Sequence, residues 1–301
     1  MSAATVCVVG SLNEDTSLRV SALPLPGETV LASGRTLAPG GKGANQAAAA
    51  AVLGGQVAMV GAVGADEPGA RSLAALAERG VDISAVQRYD EAASGIAIVV
   101  VDESGENHIV VDPGANAMLA PTDVGAAVRE LEPGLVLVQL EVPIPSVASA
   151  CKAGRAVGAT VVLNPAPMPE DPSGVLEFLG DVDVLVPNCA ELGRLARRDI
   201  EPKTLTEVAA CVEELDFSGV VVVTMGSHGA YVTGPDVESR HVSAEAVDTV
   251  DTSGAGDVFS GCLAVRLAAG AALSDAVAAA NHAAAVSTTV HGAQVPVGFT
   301  V

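Results

Sequence analysis

The chain has 301 residues and a formal net charge of −21, with 50% hydrophobic but only 2% aromatic residues. This length allows one large domain, or a domain with a smaller appendage, around a core of Ala, Val and Leu. The acidity favours solubility, but it also repels nucleic acid and anionic membranes, so we expect neither as a partner. An anionic substrate would need local dipoles, a metal ion or a few basic residues.

Strands and helices alternate along most of the chain, and the Val- and Leu-rich strands are nearly continuous in apolar residues. This pattern predicts a parallel sheet covered by helices on both faces. In chain order we predict strand 6–10, helix 43–55, strand 56–64, helix 70–80, strand 135–141, a helix from about 146, strands 159–167 and 182–188, helices 190–198 and 205–215, and strand 219–226.

Two segments, 14–38 and 95–112, interrupt this alternation and are typical of antiparallel β-structure. Nothing resembling a linker separates them from their surroundings. We therefore predict a single domain, 1–301, in which these two segments form a small β appendage that folds over the main body.

The cysteines indicate a reducing compartment, because none of the five forms a CxxC pair. Cys7 and Cys262 lie in apolar runs and are expected in the core. The N-terminal MSAATVCVVG lacks the basic region of a signal peptide and is expected to be the first strand. Since no strongly apolar stretch of 18 residues is free of charge, we predict a cytoplasmic protein without a membrane span.

Polar residues follow several of the predicted parallel strands. Ligands of such sheets bind beyond the carboxyl ends of the strands. A row of polar groups at one edge suits a sugar, although each residue alone could be an ordinary loop residue. The residues are Asn13, Asp15, Glu141, Asn164, Asn188, Thr224 and Gly226.

The segment PGGKGANQ (39–46) is a glycine loop that opens a helix. It is not a phosphate-binding Walker loop, because Gly43 follows the Gly-Lys pair where Ser or Thr is required. The glycines could serve only close packing. Alternatively, Asn45 and Gln46 on the first turn of the helix could hold ligand hydroxyls.

The segment DTSGAGDVFSG (251–261) carries a more specific signal. The amides of 254–257 would point at a ligand from a helix N-terminus and form an anion hole. Asp257 beside them could accept the proton of an attacking hydroxyl, as carboxylates do in kinases, and the helix dipole would favour its ionised form. The alternative is that Asp257 is a simple helix N-cap.

These motifs together resemble the PfkB-type sugar kinases, and within them the ribokinases. The matching stretches cover residues 10 to 294, and the two glycine motifs are highly specific. They are GSLNEDT, LPLPGETV, PGGKGANQAAAAAVLGG, GENHIVVDPGANAMLAP, VQLEVP, LNPAP, PNCAEL, VTMGSHG, VDTSGAGDVFSG and HGAQ.

The resemblance implies a ribokinase-like three-layer α/β sandwich with a mostly parallel central sheet and a small β-sheet lid. It also implies an ATP-dependent kinase that phosphorylates the 5-hydroxyl of D-ribose, uses Mg²⁺ and K⁺, and forms a homodimer through the lids. Alternatives are a related kinase acting on another pentose, a ketohexose or a nucleoside, and a sugar sensor without turnover. The scarcity of aromatic residues argues against a nucleoside.

The resemblance also assigns roles to single residues. For catalysis it implies Asp257 as the base and Gly254, Ala255 and Gly256 as the anion hole. For the sugar it implies Asn13, Asp15, Gly41, Lys42, Gly43, Asn45 and Glu141, with Asp257. For the nucleotide it implies Asn188, Thr224, Gly226, Ser227, Gly229, Gly256 and Asn281. For Mg²⁺ it implies Glu191, and for a monovalent cation Asp251, Ser253, Ser287, Val290 and Gly292.

Two features depart from the family pattern. Pro296 stands where ribokinases often supply a serine hydroxyl to the monovalent cation. The sequence also lacks the helical tail that is common in the family after Val301. The first departure predicts weaker K⁺ binding, and the second bears on the nucleotide edge.

Overall fold

The computed structural model describes residues 5–198 and 200–301. The predicted strand 6–10 lies within these ranges, whereas residues 1–4 of the N-terminal segment MSAATVCVVG lie outside the described residues. The strands are β1 Val6–Val9, β2 Asn13–Arg19, β3 Gly34–Gly40, β4 Val57–Gly64, β5 Val86–Tyr89, β6 Gly95–Val101, β7 Asn107–Asp112, β8 Leu135–Val138, β9 Thr160–Leu163, β10 Val184–Leu185, β11 Val220–Thr224, β12 Ala230–Gly234 and β13 Val237–Val242.

The five helices predicted by range lie within a few residues of observed ones, and a helix follows Gly254 as predicted, whereas the helices Pro121–Leu131, Ser173–Leu176 and Leu273–Ser287 were not predicted. The helices are α1 Lys42–Val52, α2 Glu67–Glu78, α3 Pro121–Leu131, α4 Ile144–Ala156, α5 Ser173–Leu176, α6 Cys189–Leu195, α7 Leu205–Glu213, α8 Ala255–Ala268 and α9 Leu273–Ser287, with 3-10 turns at Gly114–Met118, Leu179–Asp181 and Gly226–His228.

Nine strands form the main sheet, in the order β13-β12-β11-β10-β9-β8-β1-β4-β5. The pairs from β11 to β5 are parallel, whereas β12 and β13 add an antiparallel edge that we did not predict. The strand β1 lies between β4 and β8, so the chain leaves it toward both sides of the sheet. Such a switch point opens a crevice beyond the carboxyl ends of the strands.

Both faces of the sheet are buried, as the apolar strands predict. Alternate residues of β1 face opposite sides, with Val6 and Val8 packed against α1, α2, α8 and α9. Cys7 and Val9 pack against α3, α4 and α5 on the other face. The result is a helix–sheet–helix sandwich. All five cysteines are free, and Cys7 and Cys262 are buried in the core as predicted.

A second, four-stranded sheet has the order β3-β2-β6-β7 and is built from the two predicted β segments. Each segment is antiparallel within itself. The prediction of antiparallel structure throughout was wrong at the junction, where β2 and β6 pair in parallel. Parallel pairing arises because β2 and β6 each leave the same end of the main sheet, after β1 and β5 respectively.

The pairing register separates the two faces of this small sheet. Directly opposed residues point to the same side, so Asp15 shares a face with the buried Ala97. Thr16 shares the other face with Ile98. Asp15 therefore lies on the face that covers the crevice. None of the helices in the described ranges has the length and apolarity that crossing a membrane requires.

Candidate active site

Asp257 lies in the first turn of α8, whose N-cap is Gly254 with φ 72°. A side chain at Gly254 would also overlap the Ala293 carbonyl oxygen, so this turn requires glycine on two grounds. The alternative that Asp257 is the N-cap is wrong, because its carboxylate contacts α1 instead.

The carboxylate of Asp257 is buried, with 6% exposure, and accepts two side-chain hydrogen bonds from α1. Asn45 Nδ2 donates to Oδ2 over 3.0 Å, and Gln46 Nε2 donates to Oδ1 over 2.9 Å. Burial raises the pKa of Asp257, while Lys42 and the two amide donors act against that rise. A raised pKa brings a carboxylate closer to the optimum for a general base at neutral pH.

The start of α8 opens into a cavity of about 150 Å³. In the described part of the chain no side chain caps this helix. The Ala255 N–H donates to the Thr252 carbonyl over 3.3 Å, which leaves the Gly256 and Asp257 N–H groups of the first turn for a ligand in the cavity. Lys42 lines the same cavity and brings a positive charge beside Asp257. The cavity thus combines a base with two features that attract an anion, which the overall charge of −21 makes necessary.

The predicted sugar residues lie around Asp257 at the switch point. Glu141, beyond β8, accepts hydrogen bonds from the backbone N–H of Lys42 over 2.9 Å and from Ser11 Oγ over 2.5 Å. The loop between β1 and β2 packs directly on the start of α1, because Gly41, with φ 90°, and Gly43 lie so close to the backbone of 10–13 that a side chain at either position would overlap it.

Asp15 on the small sheet is close enough to Glu141 and Asp257 to feel their charges. Burial, and then repulsion from Glu141 and Asp257, raises the pKa of Asp15 to about 6. Mutual repulsion makes it unfavourable for three neighbouring carboxylates to be ionised together unless a ligand or cation binds between them. Acceptors of this kind match the several hydroxyl donors of a sugar.

The predicted nucleotide residues Asn188 and Thr224 line the cavity at the start of α8 together with Asp257. Asn188 and Thr224, at the ends of β10 and β11, line the 150 Å³ cavity and also a neighbouring cavity of about 610 Å³. The larger cavity also contacts Gly226 and His228. A ligand that passes from the larger cavity into the smaller one would reach the start of α8.

Glu191, the predicted magnesium residue, also lines the smaller cavity. Its Oε2 accepts from the Asn188 backbone N–H over 2.8 Å, while Asn188 Oδ1 accepts from the Glu191 N–H over 2.8 Å. These bonds form a capping box for α6, a role that we did not predict for the Asn-x-x-Glu pattern. Both side chains therefore have a structural task as well, and burial raises the pKa of Glu191.

The remaining nucleotide residues lie farther along the same edge. Gly229, with φ 92°, approaches Val242 so closely that a side chain would overlap its carbonyl oxygen. Asn281 on α9 donates to this same carbonyl over 3.0 Å. Asn281 and Gly229 are thus neighbours across Val242, although neither lines the two cavities described above. Ser227 lies in the 3-10 turn that precedes Gly229.

The predicted cation residues come from two loops that Asp251 connects. Its Oδ1 accepts from the Ser253 N–H and its Oδ2 from the Gly292 N–H, both over 2.9 Å. These hydrogen bonds lower the pKa of Asp251 despite partial burial. The loop 288–292, which follows Ser287 and contains Val290, is held beside the start of α8 in this way.

Three buried amide side chains lie behind the site, of which sequence reasoning missed Gln139 and Asn116 and gave Gln46 a different role. Gln46 does not face a ligand, as we had considered, but is fully buried against Asp257. Gln139 lies behind Gln46. Asn116 donates to Asn13 Oδ1 over 2.8 Å, which leaves the Asn13 NH₂ group for a ligand. The polar residue types at such apolar positions were the available signal.

The arrangement as a whole suits transfer of an anionic group onto a hydroxyl, and comparison with known proteins agrees. The model of the pfkB family carbohydrate kinases matches residues 3–298, and the chain belongs to this family. A ribokinase of Schizosaccharomyces pombe is 35% identical over 298 residues, covering 96% of this chain and 93% of that protein.

Two further relatives are informative about specificity. A deoxyribokinase of Salmonella typhi is also 35% identical, over 292 residues that cover 96% of this chain and 94% of that protein. The structure of Arabidopsis thaliana ribokinase complexed with ribose and ATP has a TM-score of 0.85 and 31% identity, covering 97% of this chain and 94% of that one. The predicted family and fold are thereby confirmed.

Proposed function

We propose that this protein transfers the γ-phosphoryl group of ATP to the 5-hydroxyl of D-ribose, giving ribose 5-phosphate and ADP. The observation that carries the proposal is the single cavity in which Asp257, Lys42 and the start of α8 meet Asn188 and Thr224. The similarity to ribokinases over nearly the full chain supports it. We further propose that residues 1–301 form one domain, that the small sheet acts as its lid, and that the protein works in the cytoplasm.

In this mechanism the sugar lies between Asp15 and Glu141, with its 5-hydroxyl beside Asp257. The Asp257 carboxylate takes the hydroxyl proton as the oxygen forms its bond to the γ-phosphorus, and the bond from that phosphorus to the bridging oxygen breaks, releasing ADP. The amides of 254–256 and the Lys42 ammonium stabilise charge on the transferring group. Closure of the small sheet would exclude water and so favour the sugar as acceptor.

We propose that Mg²⁺ binds with few protein ligands. Among the described residues no three acidic, His or Cys side chains form a metal cluster. Mg²⁺ commonly uses substrate phosphates, water and only one or two carboxylates. Glu191 fits this role, because Oε1 takes no part in the capping box. When bound, the ion would neutralise charge on the phosphates.

A coupled assay of ADP release tests the proposed substrate. We expect sugar-dependent release that is fastest with ribose among ribose, 2-deoxyribose, fructose, tagatose and adenosine. Turnover limited to adenosine or a ketohexose would overturn the assignment. Nucleotide and sugar binding without ADP release would indicate a sensor instead.

A second candidate substrate is 2-deoxyribose. The deoxyribokinase relative is as similar to this chain as the S. pombe ribokinase, at 35% identity each. Overall similarity therefore does not separate the two sugars. The ratio of kcat/KM for ribose and 2-deoxyribose decides between them, and a ratio below one would favour the deoxy sugar.

We also propose a monovalent cation site between the loops that Asp251 connects. The residues proposed to hold K⁺ are Asp251, Ser253, Ser287, Val290 and Gly292. The bound ion would order the backbone amides of the anion hole. We expect K⁺ to raise activity at fixed ionic strength more than Na⁺ does, because backbone carbonyl cages suit the larger ion.

The substitution Pro296→Ser should lower the K⁺ concentration needed for half-maximal activity, because it restores a hydroxyl ligand. Val297→Ser is the matched control, since it adds a hydroxyl one position farther along the chain at a residue that is 57% exposed. A titration of activity with K⁺ against a bulky organic cation checks this. Activity that is indifferent to K⁺ in the native protein would show that the site is lost.

We propose that two copies associate through their lids. On the lid face directed away from Asp15, the register aligns Leu37, Ile98 and Val110 in one row, with exposures of 48%, 37% and 67%. Such an apolar row on a sheet with open edges favours association.

The charge substitution Val110→Lys should convert the dimer to a monomer, because a buried unpaired charge is costly at an interface. Sedimentation velocity measures the change. Ile200→Lys serves as control, since Ile200 is 79% exposed but lies outside the lid. A native protein that is monomeric at micromolar concentration would contradict the proposal.

A further inference from the structure

The side-chain amides of Gln46 and Gln139 form a buried hydrogen-bond relay that ends on the Asp257 carboxylate. Gln139 Nε2 donates to Gln46 Oε1 over 2.5 Å, and Gln46 Nε2 donates to Asp257 Oδ1 over 2.9 Å. Both glutamines have 0% exposure. Fully buried glutamines are rare without a specific hydrogen-bonding task.

The neighbouring groups determine which amide donates and which accepts at each step of this relay. The NH₂ group of Gln46 has two hydrogens, and they go to Asp257 Oδ1 and, over 3.0 Å, to Asn164 Oδ1. Asn164 uses its own NH₂ group on the Val186 carbonyl over 2.9 Å, so its oxygen must face Gln46. Gln46 therefore presents its carbonyl to Gln139, and the Gln139 amide must donate.

The backbone brings α1 close enough to α8 for these bonds. Gly261 lies one helical turn after Asp257, and a side chain there would come within 2.7 Å of the backbone carbonyl oxygen of Gln46. Glycine at this position allows the two helices to approach. The sequence therefore supports the Gln46–Asp257 contact from both helices.

Gln139 also carries a cost, because its Oε1 has no hydrogen-bond partner among the described groups. An apolar residue would avoid that cost at this fully buried position. Retaining an amide here is explained if its donor is needed to hold Gln46.

We propose that Gln46, held by Gln139, is a positioning residue that fixes the orientation of the Asp257 carboxylate and favours its ionised form. This inference rests on the proposed role of Asp257 as the base. Gln46 acts through a hydrogen bond to the charged form of the acid, which lowers the pKa of Asp257 against the effect of burial. The other charged groups that face Asp257 are Lys42, Glu141, Asp15 and Glu191.

The substitution Gln46→Met keeps the length of the side chain but removes its amide. We expect the pKa of Asp257 to rise by about one unit, a tenfold change in proton affinity. The acidic limb of kcat/KM against pH should move to higher pH by the same amount. Sugar KM should change by less than about twofold, because Gln46 does not reach the ligand, while kcat on the plateau falls about tenfold as the carboxylate loses its orientation.

The direct measurement is the ¹³C titration of the Asp257 carboxyl in the free protein, assigned by its loss in Asp257→Asn. It needs no turnover, so the inference can be judged even if the protein phosphorylates none of the sugars tested. A folded Gln46→Met protein with an unmoved Asp257 titration would overturn the proposal. A rise in sugar KM with an unmoved acidic limb would also overturn it, and would make Gln46 a ligand contact.

If Gln46→Met does not fold, Gln139→Met tests the hydrogen bond from Gln139 to Gln46 in the same relay. It should raise the pKa of Asp257 by about half a unit, roughly a threefold change in proton affinity, and no change would contradict the positioning role. Ser146→Ala is the control for general loss of a buried hydrogen bond. Ser146 is fully buried but bonds to the Leu119 carbonyl, so its removal should lower Tm without moving the titration.

Discussion

Asp257→Asn is expected to lower kcat by roughly 10²–10⁴-fold while the protein remains folded and binds ribose. The asparagine cannot accept the hydroxyl proton, whereas the anion hole and the binding residues remain. This is the largest effect that we expect from one substitution in the chain.

The surroundings of Asp257 explain why the variant should fold. Both carboxylate oxygens accept from amides, so the new NH₂ group would face a donor. Asn45 Oδ1 is buried and has no hydrogen-bond partner among the residues that the structure describes, and a rotation of the Asn45 amide would present this oxygen to the new group. Calorimetry of ribose binding and a thermal melt are the controls. Near-native turnover in a folded Asp257→Asn protein would show that another group is the base.

Asp15→Asn should weaken ribose binding by roughly ten- to a hundredfold and leave the KM for ATP nearly unchanged. The carboxylate is placed to accept sugar hydroxyls with both oxygens. Asparagine keeps one acceptor but replaces the other with an NH₂ donor, and a buried hydroxyl that loses its acceptor costs about 1–3 kcal/mol. Since the pKa of Asp15 is raised to about 6, native ribose affinity should also fall as the pH drops through 6. Calorimetry at pH 5 to 8 measures both effects, and equal losses for ribose and ATP would contradict the assignment.

The same variant should gain stability at neutral pH. The folded pKa of Asp15 lies above the unfolded value, so the folded state binds more protons and native stability falls as the pH rises from about 4 to 6. Asparagine removes this penalty, which is roughly 1–3 kcal/mol before allowance for partial solvent screening. A higher urea midpoint for Asp15→Asn at pH 7.5, with the difference vanishing near pH 4, is the expected result. This trade of stability for binding is common at functional sites.

The order of elements could be predicted because apolar runs and glycine stops report directly on buried strands and helix ends. The strand β5, the hairpin of β12 and β13 and the parallel pairing of β2 with β6 could not, because they depend on which strands become neighbours. Pairing partners are chosen by the whole fold and leave little trace in a local pattern.

The candidate site shows the same division. The Gly-Ala-Gly-Asp turn predicts a helix start with an acid beside it, and the structure has both. The task of Gln46 could not be predicted, because a glutamine on a first helical turn suits a ligand as well as a buried acid. The packing of α8 on α1 places Gln46 against Asp257, and this is a long-range contact between residues 211 positions apart.

The central claim is that Asp257 and the start of α8 direct phosphoryl transfer to the 5-hydroxyl of ribose. The most direct test is ¹³C and ³¹P NMR of the product formed from labelled ribose, ATP and Mg²⁺. We predict phosphorus coupling at C5 of the sugar, with ADP formed in equal amount, and formation of the same product by Asp257→Asn that is slower by roughly 10²–10⁴-fold. Phosphorylation at C1, or ADP formed without any sugar phosphate, would contradict this account.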